Sequence, residues 1–289
     1  MFWLLACSKG PPQVASSAEP PGLGTAYMAV TGRGRSPGRI SYPRGGGELL
    51  DFVGYAFVLE HPAQGLVVVD PGYPRVAKEP AEYPGDFIAD ATGLYEVTPL
   101  AEQLVQPPEH VLTTHGHADH IGGLADFPDA ALHIVEDEWA FALKESSLHA
   151  VVPFPYAAHE DVRFVAFEGD AYGPFPAHHD LFGDGSVILL PTPGHTPGHT
   201  SVLLNASNGR YLVVGDAAWH ERHWAEPGPK GGMTRLLLED DPKAAMLALE
   251  RIHAWALAEP EVQILAGHEA TLEQRYPLYP DALVPDGPR

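Results

Sequence analysis

The sequence predicts an α/β protein in which sheets and helices pack in layers, and three observations predict it. Short apolar runs bounded by Gly, Pro or Asn recur along the chain, stretches with helical spacing fall between them, and from Thr25 onward neither a second long linker nor an internal repeat intervenes. Strands interleaved with helices in this way bury their apolar faces best as alternating layers.

The predicted strands are, in order, Ala26–Val30, Gly54–Glu60, Leu66–Asp70, His110–Thr113, Ala131–Val135, Val162–Phe167, Ser186–Leu190, Thr200–Asn205, Tyr211–Val214 and Val262–Leu265. Most are β-branched or closed by turn residues, which suits a pleated, half-buried surface. Helical spacing predicts Val97–Val105, Gly122–Asp126, Glu136–Lys144 and Pro242–Ala258, the last with Pro242 at a start and Ala, Leu and Met recurring along one face. Ser146–Tyr156 and Asp170–Asp180 mix Pro, Gly, His and aromatic residues without a period and read as loops. Loops of such length in a folded domain tend to serve as lids or binding edges, so substrate contacts are expected there.

Residues 1–24 are set apart from the domain that follows at 25–289. Leu4-Leu5-Ala6-Cys7 resembles the cleavage box of bacterial lipoproteins, and Ser8–Gly24 is rich in Pro, Ser, Gly and Ala like a flexible tether. A lipid anchor at Cys7 and an extracytoplasmic, lipid-anchored or periplasmic location are expected from it. Only six uncharged residues precede Cys7, so the signal reads as clipped, and a cytoplasmic chain with a frayed start is the alternative.

Acidic residues number 38 against 17 basic, a formal net charge of −21, and that field repels phosphate backbones, which argues against nucleic acid as a partner and for a small-molecule substrate. Cys7 is the one cysteine, so a metal site would have to be built from His and carboxylate. No apolar run approaches the roughly 20 residues of a membrane-spanning helix. Oligomeric state is not legible.

Residues Thr113–His120 read Thr-Thr-His-Gly-His-Ala-Asp-His, directly after the apolar pair Val111-Leu112 and before Gly122-Gly123, on a strand-to-helix turn. Alternate side chains of an extended segment point the same way, so His115 and His117 can share one metal while Asp119 and His120 swing toward a second.

This run resembles the metal motif of the metallo-β-lactamase superfamily, and three further positions extend the resemblance: His195 in a Pro-Gly-His-Thr-Pro-Gly-His repeat, Asp216 in Val-Gly-Asp and His268 in Ala-Gly-His-Glu. The resemblance implies a four-layer αββα sandwich. It also implies that His115, His117 and His195 hold one ion and Asp119, His120 and His268 the other, with Asp216 bridging. Two Zn²⁺ suit this donor set, though Fe, Mn or Co would also bind imidazole and carboxylate. A paired-metal site lets a metal-bound hydroxide attack a carbonyl, and Asp119 could relay the proton to the leaving group.

Asp70, in Val-Asp-Pro-Gly, matches the position expected to orient a ligand imidazole, the competing reading being a strand-end turn residue. His199, four residues past His195, reads as a neighbour or core residue. Trp219, His220 and His223 lie just past Asp216, where the resemblance places substrate contacts.

Within the superfamily, the order of motifs from about Leu66 to Tyr279 is most similar to the N-acyl homoserine lactonases. Those carry a Tyr three residues after the bridging Asp, where this chain has Trp219; an indole offers an N–H or an apolar face but no phenol. The sequence therefore predicts a dinuclear zinc hydrolase of lactones or esters. A His-rich dizinc β-lactamase and a mononuclear-iron persulfide dioxygenase are the alternatives.

Overall fold

Alternate residues along the strands are buried in different cores, and this partition defines the architecture. In β1 (Thr25–Pro37), β2 (Leu49–His61) and β3 (Gly65–Val69), the residues Met28, Val30, Tyr55, Phe57, Val67 and Val69 join one buried cluster, whereas Ala29, Ala56, Val58 and Val68 join another. The first cluster also takes Val187, Leu189, Val202, Leu204, Tyr211 and Val213, whose neighbours Ile188, Leu190, Leu203, Leu212 and Val214 enter a third. Period-2 alternation with both faces apolar means two sheets share the first cluster, each covered outside by helices. The molecule is the four-layer αββα sandwich that the resemblance implies.

The computed structural model describes residues 23–43, 46–78, 93–144 and 156–284. The proposed anchor Cys7, the tether up to residue 22 and nearly all of the Ser146–Tyr156 loop lie outside the described residues. Among those described, no helix is long and apolar enough to cross a membrane.

The remaining strands are β4 (Glu96–Val97), β5 (His110–Leu112), β6 (Ala131–Ile134), β7 (Val162–Phe164), β8 (His179–Asp180), β9 (Val187–Pro191), β10 (Thr200–Ala206), β11 (Gly209–Gly215) and β12 (Val262–Ala266). One sheet runs β4-β1-β2-β3-β5-β6-β7 and the other β12-β11-β10-β9-β8. Strands β3, β5, β6 and β7 are parallel, as are β11 and β12, so their carboxyl ends deliver several turns to one edge of the sandwich. The helix Pro242–Ala258 covers the second sheet with Leu249, Ile252 and Trp255, and Asp241 caps it by accepting from the Lys243 and Ala244 N–H groups.

Three expectations change. The β1–β2 ladder continues from Thr25↔Glu60 to Pro37↔Leu49, past the predicted Ala26–Val30 and Gly54–Glu60, because its far end carries polar residues, Arg35 pairing with Asp51, that hide the apolar period. The predicted helix Val97–Val105 begins instead as β4, and only Leu100–Gln103 makes a helical turn. Thr98 N–H donates to Thr31 O, and the following Pro99 disfavours the α conformation in the residue before it. The Asp170–Asp180 loop ends in β8 and seats Phe175, fully buried, against the Trp255 ring at 5.2 Å, so it is anchored to the outer layer.

Candidate metal centre

The chemistry-bearing side chains gather where β3, β5, β9, β11 and β12 end. Asp70 follows β3, His115 and His117 follow β5, His195 follows β9, Asp216 follows β11 and His268 follows β12, while Asp119 and His120 sit on the short helix Ala118–Ile121. Gly215, with φ of 48°, lets β11 turn this edge; a Cβ there would meet Thr114 Oγ1, so any larger residue would push the two strand ends apart.

His115, His117, His195 and Asp216 each offer a donor atom within 4.8 Å of the others, and Asp119, His120 and His268 do the same. In the first group His117 Nδ1 stands 2.9 Å from His115 Nε2 and 3.0 Å from His195 Nε2. In the second, His120 Nε2 and His268 Nε2 are 3.4 Å apart, with Asp119 Oδ2 3.8 and 3.6 Å from them. Asp216 joins the groups: Oδ2 lies 3.2 Å from His195 Nε2, and Oδ1 lies 3.3 Å from His120 Nε2 and 3.0 Å from His268 Nε2.

For His115, His120 and His268 a partner on the outer face sets which nitrogen looks inward. Asp70 Oδ2 accepts from Thr114 Oγ1 at 2.8 Å, so that hydroxyl is left to accept from His115 Nδ1–H at 3.0 Å, and the same carboxylate oxygen holds His120 Nδ1 at 2.8 Å. Asp70 Oδ1 accepts from Thr114 N–H at 2.7 Å. His268 Nδ1–H donates to Val53 O at 3.0 Å, and the Phe52 ring stacks on His268 at 3.7 Å. Asp70 itself has φ of 55°, a left-handed conformation uncommon for a non-glycine residue, which these bonds hold in place. Asp70 thus turns the chain after β3 and holds Thr114 and the His120 ring.

Burial drives the imidazoles of His115, His117 and His195 down, His117 to about 3, so they are neutral near pH 7 and present lone pairs. Burial also disfavours charge on His120, but the carboxylates of Asp216, Asp70 and Asp119 outweigh it and hold this ring well above its ordinary value. Asp216 is held well below the usual carboxylate range by His268 and His120 despite its burial, whereas burial raises Asp119. In the first group, neutral nitrogens converging on one another and on Asp216 form an arrangement that a cation satisfies and protons alone do not. The donor set fits small divalent ions in both groups.

The other sequence candidates fall close by. His199 is buried with Nδ1 on Thr192 Oγ1 at 2.9 Å and its ring 5.2 Å from His115, a packed neighbour of the donors. The Trp219 indole N–H donates to Asp216 Oδ2 at 2.6 Å, so it is taken up by that carboxylate. His220 and His223 turn to Ser41: His220 Nε2 meets its hydroxyl at 3.1 Å, and His223 Nε2–H donates to its carbonyl at 2.9 Å. His223 also lines a cavity of ≈430 Å³ with Tyr42, Arg222 and Pro229.

Four residues escape a reading of the sequence. Ser41 and Tyr42 hold the His220–His223 segment from nearly 180 residues away, Lys230 is buried with its ammonium 5.6 Å from the Trp219 ring and 3.2 Å from Glu239 Oε1, and Glu138 reaches the backbone of two donor loops. Only Lys230, in a Gly-Pro-Lys-Gly-Gly stretch, carried even a weak signal, and that signal reads as an exposed turn.

Residues 49–268 match the family model of the metallo-beta-lactamase superfamily, and the chain belongs to that superfamily. A probable metallo-hydrolase of Mycobacterium tuberculosis is 30% identical over 178 residues, which are 57% of this chain and 56% of that protein, so the chain spans about half the length of that relative. An N-acyl homoserine lactonase of a Bacillus species is 24% identical over 245 residues, 81% of this chain and 88% of that protein. The structure of a Bacillus thuringiensis lactonase variant with N-decanoyl-L-homoserine at its active site has the same fold, with a TM-score of 0.71 at 20% identity over 91% of this chain and 100% of that one.

Proposed function

We propose that the protein is a dinuclear, zinc-dependent hydrolase that opens a lactone or ester carbonyl, with N-acyl homoserine lactones as the first substrates to test. One observation carries the proposal: Asp216 directs one carboxylate oxygen to each donor group, so two ions would be held side by side. The similarity to N-acyl homoserine lactonases over most of the chain supports the substrate class.

Two divalent ions at these groups would make a bound water acidic near neutral pH and polarise the substrate carbonyl. Asp119, buried beside His120 and His268, would be placed to pass a proton to the departing oxygen. Trp219 would fix the orientation of Asp216 through its N–H. The cavity beside His223, walled by Tyr42 and Pro229, has room for the part of the substrate remote from the carbonyl.

Metal analysis combined with a panel of lactones, β-lactams and phosphotriesters tests this, with His117→Ala as control. Two zinc ions per chain and lactone turnover that disappears in the control are expected. Preferential hydrolysis of β-lactams would replace the substrate class, and a single iron with oxygen uptake on a persulfide would overturn the hydrolase.

A further inference from the structure

Glu138 takes no part in the chemistry above, yet it is 1% exposed and its carboxylate lies between the two loops that carry the first donor group. Its Oε1 accepts from Gly116 N–H at 2.6 Å and its Oε2 from Gly198 N–H at 2.8 Å. Gly116 separates His115 from His117, and Gly198 closes the turn that begins at His195. Across these loops His117 Nδ1 faces His195 Nε2 at 3.0 Å.

Contact on both sides is close. A Cβ on Gly116 would stand 2.7 Å from the Ala142 Cβ, and a Cβ on Gly198 would stand 2.7 Å from both the backbone nitrogen and the Cβ of Glu138. The helix Glu136–Ala142 is thus wedged against both loops, and only glycine permits the approach. An apolar side chain would fill the space without the desolvation cost of a carboxyl, but it would leave two buried N–H groups without acceptors. Two acceptor oxygens on one rigid fork, one per loop, set the distance between the loops as well as satisfying them.

We propose that Glu138 is a positioning residue that holds the His115–His117 turn and the His195 loop at the separation the first donor group needs, and so sets the metal affinity of that group but not of Asp119, His120 and His268. The proposal rests on the two-metal reading. A carboxamide at this position keeps one acceptor and turns an NH₂ toward the other backbone N–H, so Glu138→Gln breaks one tie while keeping shape.

The test strips the purified full chain of metal and titrates it with Zn²⁺ against a chromophoric chelator, then repeats the titration with Co²⁺ to follow the visible spectrum of each group. Wild type is expected to bind two ions. Glu138→Gln is expected to keep one affinity and to weaken the other by about 10–100-fold, the range seen when groups behind metal ligands are replaced. One cobalt spectrum should then develop only at higher cobalt. Unchanged constants, or equal weakening of both ions, would overturn the proposal, the second because it marks a merely structural role. Should Glu138→Gln not fold, Gly198→Ala presses on the same contact from the other side and is read by the same criteria. A wild-type chain that binds fewer than two ions would bring down the two-metal reading and this proposal together, whereas failure in the variants alone would leave that reading standing.

Discussion

Two histidine clusters lie at opposite ends of β5, and they differ in what their nitrogens face. Past the carboxyl end, five imidazoles and two carboxylates present donor atoms to common points. At the amino end, His110 Nδ1 meets His133 Nε2 at 3.1 Å, His61 Nε2 meets Asp184 Oδ2 at 3.0 Å, and the Phe182 ring stands 5.2 Å from both His61 and His110. His110 and His133 pair with each other, and His61 is satisfied by Asp184 and by the Ala63 and Gln64 N–H groups that donate to its Nδ1. The number of histidines does not make a metal centre; convergence of lone pairs around shared carboxylates does.

The largest expected difference is in catalysis. Asp216→Asn removes charge from both donor groups at once and should lower hydrolysis by about 10³-fold or more, because a metal pair supplies several kcal/mol of barrier lowering. His133→Leu at the other cluster should leave metal content and turnover near wild type. Equal losses in a kinetic assay of the two variants would abolish the distinction.

Metal removal is the next largest. With free zinc at about 1000 times Kd, binding stabilises the fold by about 4 kcal/mol, and chelation should lower Tm by roughly 8–16 °C. The chain should stay folded, since the three large cores contain no metal donor. Calorimetry with and without chelator checks this, and the same shift should persist in His133→Leu.

Acid separates the clusters by a smaller amount. Burial, with His110 and Arg163 adding to it, lowers His133 to about 4 from 6.5. Between these values the unfolded chain binds a proton that the folded chain refuses, so stability falls as pH drops through that window and levels off below it. The loss is about 3 kcal/mol. Denaturant unfolding of metal-free protein should show a shallower decline from pH 6.5 to 4 in His133→Leu than in wild type; parallel curves would show that His133 titrates normally.

The smallest effect concerns Trp219. Trp219→Phe keeps a ring but removes the N–H held by Asp216, and a hydrogen bond to a charged group contributes about 1.5–3 kcal/mol, so turnover should fall by roughly 10- to 100-fold with two ions still bound. Steady-state kinetics beside metal analysis would reveal whether the loss is instead of metal.

Much of this was legible because local order carries it. The run from His115 to His120 spells its own turn, and the recurring strand-end positions of His195, Asp216 and His268 mark the other half of the donor set through a family resemblance. Asp70 was recognisable on the same ground. The Val97–Val105 stretch misled because helical spacing does not register that Thr98 is claimed by Thr31 across the sheet.

By itself the sequence determined the layered α/β class, the candidate donors and the chemistry open to them, because side-chain type and strand period are local properties. Tertiary structure alone decided that the Trp219 N–H is occupied, and that Glu138, one of three acidic residues in a helical first turn, is the one turned inward between two loops. The Trp219 bond spans three residues, whereas the two Glu138 contacts join residues 22 and 60 apart. No local pattern encodes such a distance, and only the closing of the sandwich brings those segments together.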